Sequence, residues 1–309
     1  MISRRLMRQA LPFLSLAVVL GATFWIQPRT MSYFGLNLML QYSVPIALAT
    51  IAQMFIITVN DLDLSIGPFV GLVSCVGATL LYDSPILGLL VLLVMVAAYG
   101  AVGALVHARG LPSIVVTLGL SFVWLGIAVL VLPSPGGKAP DWLKEFMGIQ
   151  VPVVPFPIIA ALVIGIAVHL GLMLSSYGAV ARGAGGNAKA LTRAGWSMLR
   201  TKVVMYALAG FFGVLSGLSL LGLTTSGDAH VADRYTLYSI AGVILGGGEF
   251  IGGRVSPIGA VVGALTLALA GSFLIFLRIS PDWQIGAQGA ILIIVLALRA
   301  LVSYGEARR

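Results

Sequence analysis

The chain alternates long apolar runs with short polar punctuation. Stretches free of Asp, Glu, Lys and Arg fall at 9–28, 30–60, 64–82, 84–108, 110–137, 146–181, 203–227, 255–277 and 283–298, and a further stretch, 235–253, carries only Glu249. A helix needs about 20 apolar residues to cross the hydrocarbon core of a bilayer. Each of the ten stretches can hold one such helix. The 36-residue run from 146 counts once, because "VPVVPFP" breaks its start and "SSYGAVARGAGGN" its end. The pattern predicts an all-α integral membrane protein of about ten transmembrane helices. It forms one domain over 1–309, with a long polar loop at 175–202 inside it.

Composition sharpens that picture. Only 9% of the 309 residues are charged and 59% are hydrophobic, against about 25% charged in an ordinary soluble domain. There is too little polar surface to coat a water-soluble globule, whereas lipid accepts helices that are apolar all round. The N-terminal stretch "MISRRLMRQALPFLSLAVVLGATFWIQPR" has the basic start of a signal peptide. Its apolar core is long for one and no small-residue cleavage site follows, so it reads as an uncleaved first span.

The net charge of +8 raises nucleic acid as a partner, but the basic residues sit in short loops between spans and form no continuous patch. Ten spans put both termini on one side of the membrane. That side then holds 13 basic residues: Arg4, Arg5, Arg8, Arg109, Arg182, Lys189, Arg193, Arg200, Lys202, Arg254, Arg299, Arg308 and Arg309. The other holds 5: Arg29, Lys138, Lys144, Arg234 and Arg278. The positive-inside bias makes the first side cytoplasmic. The lone Cys75 lies in an apolar run and reads as a small packing residue. Glycines recur four apart at Gly67/Gly71, Gly213/Gly217, Gly248/Gly252 and Gly259/Gly263, a spacing that lets helix backbones approach closely in lipid.

The chemistry of an energy-converting enzyme is missing. "SPGGKAP" around Lys138 is the nearest approach to a phosphate-binding loop and fails on both flanks. His107, His169 and His230 are scattered with no metal-ligand spacing. No nucleophile elbow and no periodic array of arginines inside a span is present. No catalytic residue, cofactor site or metal site is expected on this chain. It reads as a passage driven by other subunits.

Two places carry polar residues that need a reason. The first is "VNDLDLSIGP", residues 59–68. At the inner end of the third span, Asp63 or Ser65 could cap a helix N-terminus, a benefit of about 0.5–2 kcal/mol. An ion site at membrane depth would cost about 2.5–3.5 kcal/mol per carboxylate. A cap or hinge formed by Asp63, Ser65 and Gly67 is therefore the expected role, ahead of an ion or substrate site at Asp61 and Asp63. Glu249, among glycines, is either an interfacial residue or a partner of Arg254. The second place is the loop 175–202, where Asn187 can cap a short helix that Gly195 ends. Such a helix suits docking to a soluble partner, and equally a basic loop held near anionic membrane lipid.

These residues resemble the membrane subunit of ribose-type ABC sugar importers, within the branched-chain amino acid/ribose permease superfamily. That family shows Gly-Gly-Ile-Asp-Leu-Ser-Val-Gly where this chain has "NDLDLSIG" at 60–67. It shows Gly-Gly-Asn and a small helix where this chain has "GGNAKALTRAG" at 185–195. It shows paired glycines before an apolar helix where this chain has "LGGGEFIGGRVSPIGAVVGAL" at 245–265. The likeness runs from about the second span to the tenth. Departures fall at Asn60 and Asp61, where the family has glycines, and at Ala188, Lys189 and Leu191 in the inner loop. They are compatible with one half of an unequal pair of permeases.

The resemblance implies an alternating-access pore of two permease chains, identical or homologous. Two ABC ATPase domains would bind ATP and Mg on the cytoplasmic face, and a periplasmic or extracellular sugar-binding protein would deliver a monosaccharide or related small polyol. Location would be the bacterial inner membrane. Coupling to the ATPases would fall to Gly185, Gly186, Asn187, Lys189, Ala190, Leu191, Arg193 and Gly195. Asn37, Gln41, Gln53 and Asn60, on or near the second span, are candidates for the translocation path. They could equally serve as helix-to-helix hydrogen bonds. Alternatives are a permease for nucleosides or branched-chain amino acids, and an ion-coupled secondary transporter using Asp61, Asp63 and Glu249. A membrane-embedded enzyme is a more distant one.

Overall fold

The computed structural model describes residues 4–277, with isolated helical positions beyond them at 283, 286, 289, 290 and 293. The chain folds as α1 (Arg4–Ile26), α2 (Tyr33–Leu40), α3 (Ser43–Thr58), α4 (Ile66–Ala78), α5 (Leu80–Asp83), α6 (Pro85–Arg109) and α7 (Ser113–Val131). There follow α8 (Asp141–Met147), α9 (Phe156–His169), α10 (Ser176–Arg193), α11 (Met198–Thr224), α12 (Tyr235–Leu245) and α13 (Pro257–Phe276). Among the described residues no β-strand forms.

Each of the first nine apolar runs carries an apolar helix. Among the described residues six spans are long and apolar enough to cross a membrane: α4 with α5, α6, α7, α9 with its five-residue continuation, α11 and α13. A seventh results if α2 and α3, bent by 40°, count as one. The apolar parts of α1 and α12 are shorter. The expected tenth span, 283–298, and both chain ends fall outside the described residues apart from the isolated positions above. The fold is that of an all-α membrane protein, and the count of ten is not reached by this measure.

The departures from one helix per run have local causes. The run 30–60 breaks at Gln41–Tyr42 because Pro45, in the first turn of α3, has no N–H to carry the ladder across the junction. The run 235–253 yields only the 11 residues of α12. Before it, residues 225–234 run as irregular backbone beside α4, with its polar "TSGDAHVADR" sequence. A Cβ on Gly67 or Gly71 would strike the carbonyls of Ala232 and Ala229, so the two glycines seat this segment. Gly67 N–H also donates to Thr236 Oγ1 at 3.0 Å. Irregular backbone is tolerated between membrane helices where protein covers it.

All sixteen residues of α3 are buried, and α11 packs against α3, α4 and α6 around it. The core gathers Ile51, Ile56, Phe69, Val73, Tyr99 and Met205. Leu90 and Val94 of α6, Phe122 and Leu130 of α7, and Leu162 and Ile166 of α9 stay exposed. Apolar faces of this kind suit a lipid environment.

Candidate functional site

The three sequence motifs converge on one end of the bundle. The turn after α3 holds Asn60 with φ of 60°, a left-handed backbone that asparagine tolerates better than most residues. Its side chain faces two ways. Nδ2 donates to Gly185 O at 2.6 Å, and Oδ1 accepts from Gly252 N–H at 3.0 Å. One amide thus ties the 60–67 turn to the inner loop and to the glycine loop before α13. Gly185 has no room for a side chain: a Cβ there would meet Thr58 O and the backbone of Gly253. Gly253 in turn lies against the Arg182 carbonyl. Three backbones are pressed together where the motifs meet.

Asp63 is 1% exposed, and a buried carboxyl must find partners. Its Oδ1 accepts from Ser65 N–H and Ser65 Oγ, both at 2.7 Å, and its Oδ2 accepts from Tyr99 Oη at 2.7 Å. With its amide oriented so that oxygen faces the N–H and nitrogen the carbonyl, as the surrounding donors and acceptors require, the buried Gln53 holds the Asp63 backbone at 3.2 and 3.1 Å. The capping expectation is corrected here. Ser65 occupies the N-cap position of α4, but neither it nor Asp63 makes a side-chain cap bond. Asp63 instead bonds two residues ahead, closing a tight turn, and reaches across to α6.

Asp61 does what Asp63 does not. It pairs with Lys202 at 2.6 Å and accepts from Tyr206 Oη at 3.1 Å, with the two charged side chains only 9% and 15% exposed. Lys202 stands in the first turns of α11, where the stretch read as the inner loop ends. The turn is pinned from a third side by α7, whose Ser113 and Thr117 hydroxyls accept from Leu62 and Leu64 N–H at 3.1 and 3.0 Å. Glu249 lies 3.4 Å from Arg254. Each of the three acids weighed for ion coupling thus has a protein partner.

The inner loop is largely helical. α10 is broken at Asn187 (φ −153°, ψ 86°). Asn187 Oδ1 accepts from Ala190 N–H at 3.0 Å, and Gly195, with φ of 87°, stands just past the short helix 188–193. Gly186, Asn187, Lys189, Ala190 and Arg193 are exposed, with Leu191 half-buried beneath them. This helix projects beside the Asn60–Gly185–Gly252 junction.

The candidate path residues separate. Gln53 and Asn60 are engaged at the Asp63 end as described. Asn37 and Gln41 lie at the other end and share the wall of one cavity with Lys144 and Gln150. That opposite end is closed by Gly136 and Gly227, which exchange two backbone hydrogen bonds at 2.9 and 2.8 Å. The sequence did not single out Tyr99, Tyr206, Ser113 or Thr117. The one available hint was polar hydroxyls set in otherwise apolar helices.

The family model described as branched-chain amino acid transport system / permease component matches residues 35–296. The chain belongs to that family. The expected kinship with ribose-type permeases is borne out by the curated relatives of this permease. It is 28% identical to the probable ABC transporter permease protein YphD of Escherichia coli (strain K12), over 85% of this chain and 81% of that one. It is 26% identical to the ribose import permease protein RbsC of Bacillus subtilis (strain 168), over 93% and 91%. It is 25% identical to the galactose/methyl galactoside import permease protein MglC of Haemophilus influenzae, over 96% and 95%. No solved structure matches the chain.

Proposed function

We propose that this permease is the membrane half of an ATP-binding-cassette importer that moves a monosaccharide, a pentose, hexose or related small polyol, by alternating access. The observation that carries the reading is the meeting of the 60–67 turn, Gly185 and the glycine loop under one exposed short helix. A helix placed there can move three span junctions at once. Two ATPase domains, carrying ATP and Mg, dock on the helix 188–193. A second permease chain, identical or homologous, completes the pore, and an external sugar-binding protein delivers the solute. The Asp63 end faces the cytoplasm, as the basic loops require. Ten spans with both termini inside, in the bacterial inner membrane, fit this arrangement.

The sugar class rests on the names of the ribose and galactose relatives. The test is uptake into proteoliposomes holding the permease, its ATPase and its binding protein. Uptake of labelled ribose or galactose is expected to require ATP and to survive an uncoupler. Uptake that follows an ion gradient without ATP would overturn the reading.

A further inference from the structure

Between α2, α8, the start of α9 and the last turn of α11 lies a cavity of about 300 Å³. That is the lower edge of the roughly 300–1,000 Å³ range of small-molecule sites, room for one small solute. One wall is polar. Asn37 and Gln41 stand one helical turn apart and both reach it, and Gln150 joins them from the loop after α8. Among the described residues none of these three amides makes a hydrogen bond. Each offers two N–H donors and a carbonyl acceptor. The facing wall is apolar, with Met147 and Phe156.

The charge in the cavity is already answered. Lys144 Nζ lies 2.7 Å from Asp141. The hydrogen bond and charge of Lys144 hold the Asp141 carboxyl below its ordinary value, and the same bond raises the Lys144 ammonium. An anion would have to compete with Asp141 for the cation. A neutral ligand that is both donor and acceptor, with one apolar flank, matches the walls, and hydroxyl groups on a carbon ring have that chemistry.

We propose that this cavity is a holding site, inside a single permease chain, for a neutral polyhydroxylated solute of monosaccharide size. It rests on the sugar-permease reading and adds to it a place. The solute pauses at the outer end of one chain, against Asn37, Gln41 and Gln150, before it enters the pore. Thr225 shares the cavity wall and is also the first residue of the irregular segment 225–234, so the site opens onto the polar backbone stretch that follows. Neutral hydrogen bonds replace bonds to water, so occupancy is weak and release is fast.

The test uses the assembled importer in lipid nanodiscs, with Leu223→Cys, on the cavity wall but not among the three amides, in a Cys75→Ser background. Ribose or galactose at a concentration well above its weak dissociation constant is expected to slow alkylation of the new thiol about three- to tenfold, the protection given when most sites are occupied. Adding Gln150→Ala is expected to return the rate most of the way. A thiol placed at Ser84, outside the cavity, is expected to ignore sugar. Unslowed alkylation at position 223 overturns the holding site, and slowing by inorganic phosphate in place of sugar overturns it in favour of an anion or lipid-headgroup site. Parallel uptake measurements on the importer with the unsubstituted cavity separate the two levels. Sugar uptake with an unprotected thiol removes the holding site alone, whereas absence of sugar uptake removes the sugar reading.

Discussion

The two ends of the bundle handle polar groups in opposite ways. At the Asp63 end the motif side chains are spent on other parts of the protein. Asn60 bridges two loops, Asp61 meets Lys202, and Asp63 is enclosed by Ser65, Tyr99 and Gln53. At the opposite end Asn37, Gln41 and Gln150 point at a cavity and bond to nothing among the described residues. Buried polar groups without partners are costly, so the first end is built to hold a shape. The second leaves its amides accessible to water, where they cost little and can be offered to a solute. The difference fits the division proposed above, between a part that transmits force and a part that meets cargo.

The comparison can be broken most severely at Gly185. Gly185→Val would drive a branched side chain into Thr58 O and Gly253. Backbone cannot step aside as a flexible side chain can, so the cost sits at or above the upper end of overpacking, about 3 kcal/mol. The expected outcome is a large drop in the detergent melting temperature and in monodisperse yield. A variant as stable as wild type would mean that the three backbones are not in register as described.

Next comes the Asp61–Lys202 pair. Lys202→Ala leaves a carboxylate that is 9% exposed facing only the Tyr206 hydroxyl. Breaking a fully buried pair costs about 3–5 kcal/mol, and the residual exposure here reduces that to about 1–3 kcal/mol. Removing both charges as Asp61→Asn with Lys202→Met is expected to recover at least half of the lost melting temperature. If the double variant is worse than the single one, the pair is not the source of the effect.

These two tests also mark what could be read from residues alone. The run at 110–137 announces α7, because an apolar helix facing lipid needs nothing but its own composition. Asn187 and Gly195 show the short inner helix, because caps and left-handed glycines act within a turn. The Asp61–Lys202 contact joins residues 141 apart, and no local spacing encodes such a pair. Asp63 looked like a cap because its own sequence neighbours are those of a cap, and its partner Tyr99 was hidden in an apolar helix. The irregular segment 225–234 was hidden as well. Its polar residues read as an ordinary loop, and only the packing of Gly67 and Gly71 shows it lying along a helix. Of the four path candidates, nothing in their spacing separated Asn37 and Gln41 from Gln53 and Asn60, since all sit on or near one span.

Asn60 sharpens the comparison further, because bonding and backbone strain can be told apart there. Asn60→Ala loses both bridging bonds and leaves an alanine at φ of 60°, for a total of about 1–3 kcal/mol. Asn60→Gly loses the same bonds but accepts the backbone. The glycine variant is therefore expected to melt above the alanine variant, with both below wild type. Equal melting temperatures would show that the left-handed backbone contributes nothing and that the bridge alone matters.

The smallest expected effect on stability is at the other end. Asn37→Ala and Gln150→Ala remove side chains that hold no hydrogen bond among the described residues. Substitutions without a lost bond, cavity or cap stay within about 0.5 kcal/mol, so melting temperatures should barely move. The contrast with Asn60→Ala is the point, since both remove an amide from the same family of polar positions. If Asn37→Ala proved as destabilising as Asn60→Ala, the outer amides would be structural after all. An unchanged melting temperature combined with weakened sugar protection of the Leu223→Cys thiol would place their role in the solute, because a group that contributes nothing to the fold can then act only on what enters the cavity.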